Sequence, residues 1–169
     1  AFPSSGEGEI MISRTGYTGE DGYELVCPRN WGTAIWENLL GAGVTPCGLA
    51  SRDLLRLESG LRLYGVDMDV STTPMEAGLA KFISWDKDFL GKDALKAELA
   101  RGLSRCLVGF VMQGKAIPRN GYKILHGKKP IGWVTSGGHS PTLDTDIGMG
   151  YVSSDHSSPG TRVNVDVRG

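Results

Sequence analysis

Residues 9–14 (EIMISR) alternate apolar and polar, and residues 22–27 (GYELVC) do the same, with Gly16, Gly19 and Gly22 between them. A period of two puts successive side chains on opposite faces of a strand, so the pattern predicts a β-hairpin with an elaborate glycine-rich loop. From residue 30 to 40 the apolar positions 31, 35, 36, 39 and 40 recur at helical spacing, which predicts one apolar stripe on a helix that Gly41 and Gly43 stop. A short strand near Val44 is expected to lead into a second helix over 49–59, where Leu54, Leu57 and Leu61 extend one face.

Residues 61–79 (LRLYGVDMDVSTTPMEAGL) lose this regularity, because Pro74 and the neighbouring glycines oppose a long helix, and the stretch is expected to wrap over a surface. Alternation returns at 80–85 (AKFISW), which reads as a strand, and the Ala, Leu, Lys and Glu content of 91–100 favours a helix closed by Gly102. After that the texture changes. RCLVGFVM, GYKILH, PIGWVTS, IGMGYVS and TRVNVDV are short β segments separated by Gly, Pro, Asn and Asp clusters, the pattern of a small barrel or sandwich. The expected organisation is an α+β domain over 1–103, of ferredoxin-like type with helices on a mixed antiparallel sheet, followed by an all-β domain over 104–169.

Composition narrows the class without changing this layout. The 169 residues are 40% hydrophobic and 22% charged with a formal net charge of -1, which suits a soluble globular chain of one ordinary or two small domains. Eighteen Lys and Arg against nineteen Asp and Glu, in no long run of either sign, give no basic stripe for nucleic acid or an anionic membrane. The longest apolar stretches, such as 107–112, have strand length, far below the roughly 20 residues that span a bilayer. The opening AFPSSGEGE has neither a cationic start nor an apolar core, so it does not read as a signal peptide, and it resembles a chain entered part-way. Cys27, Cys47 and Cys106 are odd in number and lack CxxC spacing, which fits reduced thiols in a cytosol-like compartment.

Several motifs invite overreading. Gly41-Ala-Gly43-Val-Thr-Pro46 lacks the third glycine of a dinucleotide fingerprint and reads as a helix stop, and Ser136-Gly-Gly-His139 has no accompanying GK[ST] and reads as a turn. His126, His139 and His156 lie beside turn residues with no carboxylate at helical spacing, and Glu20, Asp21 and Glu24 lack the calcium-loop pattern. The loop TGYTGEDGYE offers more, since its glycines permit close backbone approach around Tyr17 and Glu24. Tyr23 and Glu24 are strand neighbours facing opposite sides of the sheet, one of them expected to be the core side. A carboxylate directed into a pocket there is costly unless it meets paired N–H donors, such as those of an aminopyrimidine-type ring. On these grounds a purely structural hairpin remains the favoured alternative. Arg52 and Arg56 share a helix face with Asp53 and Glu58 nearby, and spacing alone does not separate local ion pairs from an arginine that reaches a ligand carboxylate.

ISRTGYTGEDGYEL, GLASRDLLRLESGLRLYG, TTPMEAGL, DFLGKDAL, GWVTSG and GMGYV occur in one fixed order, and together they resemble the aminomethyltransferase family, the T protein of the glycine cleavage system. The likeness runs from about Glu9 to the end of the chain. It implies three domains around a central folate-binding hole, of which this chain would hold most of the second and third. It implies transfer of an aminomethyl carbon from the lipoyl arm of the carrier H protein to tetrahydrofolate, with release of ammonia and no metal. Carried over by motif, Glu24 of GEDGYE is expected to bind the pterin, Arg52 of GLASRD to make a second folate contact, and Tyr17 of TGYTG to wall the pocket. The likeness also implies that the family's catalytic aspartate and pterin-enclosing groups belong to an N-terminal domain, which is expected to lie outside this sequence. The chain also stops at Val167-Arg168-Gly169, before the usual tail. Residues 1–169 by themselves are therefore expected to lack appreciable turnover. Cytoplasm, or the mitochondrial matrix in a eukaryote, is the implied compartment. The folate-binding ends of sarcosine and dimethylglycine dehydrogenases share much of the pattern and stand as an alternative, and a non-catalytic protein-binding module is another.

Overall fold

A computed structural model describes residues 8–167, so the expectations for the first seven residues and for the Arg168-Gly169 terminus lie outside the described residues. The chain divides into two compact units, Ala1–Ser59 and Gly60–Gly169, and the change of texture near residue 102 falls inside the second.

In the first unit, β1 (Met11–Ser13) pairs antiparallel with β2 (Glu24–Val26) in the register Met11 to Val26, Ile12 to Leu25 and Ser13 to Glu24. Directly opposed residues share a face, so Met11 and Val26 lie on one side and Ile12 and Leu25 on the other. Neither side is the expected core face, since these four residues are 59%, 58%, 58% and 38% exposed. A single 3-10 turn at Arg29–Trp31 leads into α1 (Gly32–Gly41) and then α2 (Leu49–Glu58). Of the α1 stripe, Trp31 and Ile35 are buried while Trp36, Leu39 and Leu40 remain largely exposed. α2 buries Arg56 and Leu57. The strand expected near Val44 is not formed. The Val44 amide bonds back to the Leu39 carbonyl and finishes the helix, and Pro46 has no N–H to give to a ladder.

The second unit opens with the irregular stretch, which is pinned by polar contacts. The Arg62 guanidinium donates to the carbonyls of Gly60 and Ala77. Asp67, 1% exposed, accepts the Thr135 hydroxyl at 2.5 Å and the Ser136 hydroxyl at 2.7 Å on Oδ1, and the Leu63 amide at 2.9 Å on Oδ2. The Tyr151 hydroxyl donates to the Asp67 carbonyl at 2.8 Å. At 80–85, where alternation predicts a strand, the backbone forms a 3-10 turn over Ala80–Phe82. The amides of Phe82 and Ile83 bond to the carbonyls three residues back, so this backbone is satisfied locally and recruits no partner strand. α3 (Lys92–Arg101) ends as expected at Gly102, whose φ of 80° few other residues adopt easily.

Five antiparallel strands follow, β3 (Arg105–Val111), β4 (Lys123–His126), β5 (Lys129–Ser140), β6 (Thr145–Ser153) and β7 (Asn164–Val165), in the spatial order β3-β6-β5-β4-β7. Ile124, Val134 and Val152 form its buried centre, with Val108, Phe110, Tyr122, Ile131, Val163 and Val165 packed against it. Ser136-Gly-Gly-His139, which the sequence suggests is a turn, lies inside β5 just past a bulge that follows Val134. Gly137 in it has a steric cause, since a Cβ there would overlap the carbonyl of Pro118. The α+β class thus holds, with helices and a two-stranded ribbon preceding an antiparallel β unit. No helix among the described residues is long and apolar enough to cross a membrane, and all three cysteines are free thiols.

Candidate functional site

The loop joining β1 to β2 is held by bonds that start and end within the first unit. Thr15, two residues beyond β1, donates its hydroxyl to Glu24 Oε2 at 2.6 Å. Ser59, at the end of α2, donates its hydroxyl to the Thr18 carbonyl at 2.9 Å. Gly19 is indispensable to that approach, because it has φ +79° and a Cβ there would collide with the Ser59 side chain. Arg14 and Asp21 form an ion pair at 3.1 Å, but both side chains are well exposed and such pairs contribute little.

α2 brings the second charge. The Arg52 guanidinium lies 4.6 Å from the centroid of the Tyr17 ring, a cation–π distance, and among the described residues it makes no ion pair. Arg56, equivalent to Arg52 by spacing, is 2% exposed and donates from Nε to Asp53 Oδ1 at 2.7 Å. The two arginines therefore divide the roles that the sequence left open, one internal and paired, one exposed and stacked on a ring. Glu24 is also exposed, and Oε1 carries no hydrogen bond among the described residues.

Tyr17, Glu24 and Arg52 thus sit in one unit, with Tyr17 touching Arg52 and Glu24 tied to the same loop through Thr15. The sequence pattern alone does not single out Thr15. Its position immediately after the first alternating stretch, two residues past the Ser13 to Glu24 pair and so diagonal to that acid, is the signal that marks it. What the site offers chemically is an anion and a cation, each oriented and each with hydrogen-bonding capacity left over.

The other candidates resolve into local structure. His139 Nδ1 lies 3.0 Å from Asp146 across the β5–β6 pair, and the rings of His126 and His156 meet tilted by 53° with their centroids 4.6 Å apart. Among the described residues no group of three or more His, Cys, Asp or Glu is arranged to hold a metal. Perturbed ionisation occurs in the second unit. Burial pushes the Glu76 carboxyl upward, but the hydrogen bond from Arg105, the Thr73 amide and the Arg105 charge together hold it below its ordinary value. The Arg105 guanidinium in turn lies over the rings of Trp133 and Tyr151, 5.5 and 4.9 Å from their centroids.

Residues 4–87 match the family model described as the GCVT N-terminal domain, and residues 105–169 match the glycine cleavage T-protein C-terminal barrel domain. The chain belongs to the glycine cleavage T-protein family. The aminomethyltransferase of Thermosynechococcus vestitus is 52% identical over 93% of this chain and 43% of its own length. That of Halothermothrix orenii is 50% identical over 95% of this chain and 46% of its own. The crystal structure of glycine cleavage system aminomethyltransferase T from Bartonella henselae superposes with a TM-score of 0.88 at 41% identity, covering 94% of this chain and 45% of that one. This T-protein chain therefore spans a little under half the length of the relatives it matches. The loop with Glu24 and the helix with Arg52 both fall in the segment matched by the first family model.

Proposed function

We propose that the full-length protein is a folate-dependent aminomethyltransferase of the glycine cleavage system, with Glu24, Arg52 and Tyr17 contributing folate contacts. Tetrahydrofolate would accept the aminomethyl carbon from the lipoyl arm of the H protein, and ammonia would leave. The observation that carries the reading is the pairing of two exposed, oppositely charged side chains in one unit, each supported by the same glycine-rich loop. Their remaining capacity fits the ligand. A carboxylate can accept the adjacent N–H donors of a pterin in parallel, and an arginine stacked on a ring can take the carboxylate of a folate tail.

In this reading residues 1–103 form the folate-binding α+β part and 104–169 the barrel. A lipoylated H protein is the partner, and cytoplasm or mitochondrial matrix the compartment. The experiment is turnover of the full-length protein with aminomethylated, lipoylated H protein. Ammonia release that depends on tetrahydrofolate and yields methylenetetrahydrofolate supports the proposal. Absence of that reaction, with sarcosine or dimethylglycine oxidised in its place by a flavin-bearing full-length protein, overturns it in favour of a demethylating dehydrogenase.

A further inference from the structure

We infer that Thr15 is a positioning residue, which locks the Glu24 carboxylate in the orientation that receives the ligand; this deepens the folate reading above and rests on it. An exposed glutamate has a broad terminal torsion and several rotamers, so a ligand that needs both carboxylate oxygens in one plane must first stop that motion. Thr15 stops it in advance. Its Oγ1 lies 2.6 Å from Glu24 Oε2, within the short range of hydroxyl bonds to a charged oxygen.

The donor is itself rigid. Threonine is branched at Cβ and stiff at χ1, and Thr15 follows β1 by two residues, close to the Ser13 to Glu24 pair that closes the ladder. Its loop is tied down at further points: Ser59 holds the Thr18 carbonyl, and the Tyr17 ring lies against Arg52. One loop therefore supports both charged anchors.

The stoichiometry of lone pairs also fits. A carboxylate offers about four acceptor sites, two on each oxygen. Thr15 takes one on Oε2, which leaves one there and two on Oε1, enough for a pair of parallel N–H donors with one on each oxygen. Because both residues are exposed, the bond adds little to folding stability, and orientation of Glu24 is the role left for it.

The test is the tetrahydrofolate dissociation constant of the full-length protein, measured by titration for wild type, Thr15→Val, Thr15→Ser, Glu24→Ala and the Thr15→Val/Glu24→Ala pair. Thr15→Val keeps the shape and removes the donor, so binding is expected to weaken about three- to tenfold, the scale of immobilising one side chain. Thr15→Ser restores the donor and should bind within about twofold of wild type. Once Glu24 is gone, Thr15→Val should change nothing further, and the thermal midpoint should match wild type throughout. Two results overturn the inference while leaving the folate reading intact: Glu24→Ala weakens binding and Thr15→Val does not, or Thr15→Val weakens it equally with and without Glu24. Wild-type affinity in Glu24→Ala overturns the folate reading and this inference with it.

Discussion

Replacing Asp67 tests how the irregular stretch 61–79 is fastened to its β sheet. The residue is 1% exposed, and its carboxylate accepts hydrogen bonds from the hydroxyls of Thr135 and Ser136 and from the Leu63 amide. Hydrogen bonds to charged groups contribute about 1.5–3 kcal/mol each, and a donor left buried without a partner carries its full desolvation penalty. Two effects reduce the sum. The Thr135 hydroxyl can turn to the Met149 carbonyl, 3.2 Å away, and removal of a buried charge relieves its own desolvation. We therefore expect Asp67→Ala to destabilise by about 3 kcal/mol, with the loss of packing volume included. Asp67→Asn keeps an oxygen for the two hydroxyls but turns an NH2 toward the Leu63 N–H, so it should cost about 1.5–2 kcal/mol. Urea denaturation gives these differences directly. In a thermal melt they correspond to about 2–4 °C for each kcal/mol. A shift under about 1 kcal/mol for Asp67→Ala, or an Asn variant no better than Ala, would refute the hydrogen-bond reasoning.

Two further substitutions have expected outcomes. The Glu76 pKa is held below its ordinary 4.5, so its pair with Arg105 adds stability above that value and loses it as pH falls through the folded-state value. The stability gap between wild type and Glu76→Gln should be about 1–3 kcal/mol near neutrality and close up in acid, as read from urea midpoints across pH; a gap independent of pH contradicts the assignment. Gly19→Ala meets both the positive φ and the Ser59 side chain, and should cost about 2–3 kcal/mol, part of which Ser59→Gly recovers; a neutral Gly19→Ala would show that the loop is not fastened as described.

The helices were legible because their signals are local. Periodicity over 30–40 and 49–59 and the glycines at 41, 43 and 102 needed no knowledge of distant residues. The alternating stretch AKFISW was misleading for the opposite reason, since alternation marks a strand only where a partner exists, and its amides bond within the turn. Asp67 was invisible as an anchor because its hydroxyl partners lie 68 and 69 residues away. At the site, motif likeness singled out Glu24, Arg52 and Tyr17, but helical spacing could not rank Arg52 against Arg56. Their difference is one of burial, which depends on how α2 packs. Thr15 escaped notice because a threonine beside a turn has many ordinary roles, and only its 2.6 Å approach to Glu24 distinguishes this one.

Whether Glu24 belongs to a folate site is decided most directly by calorimetric titration of the full-length protein with tetrahydrofolate, wild type against Glu24→Ala. Removing a charged partner of two parallel N–H donors should weaken binding by about 2–3 kcal/mol, or roughly 30- to 150-fold, with the fold intact. Affinity equal to wild type would contradict the account and return the loop to a purely structural role.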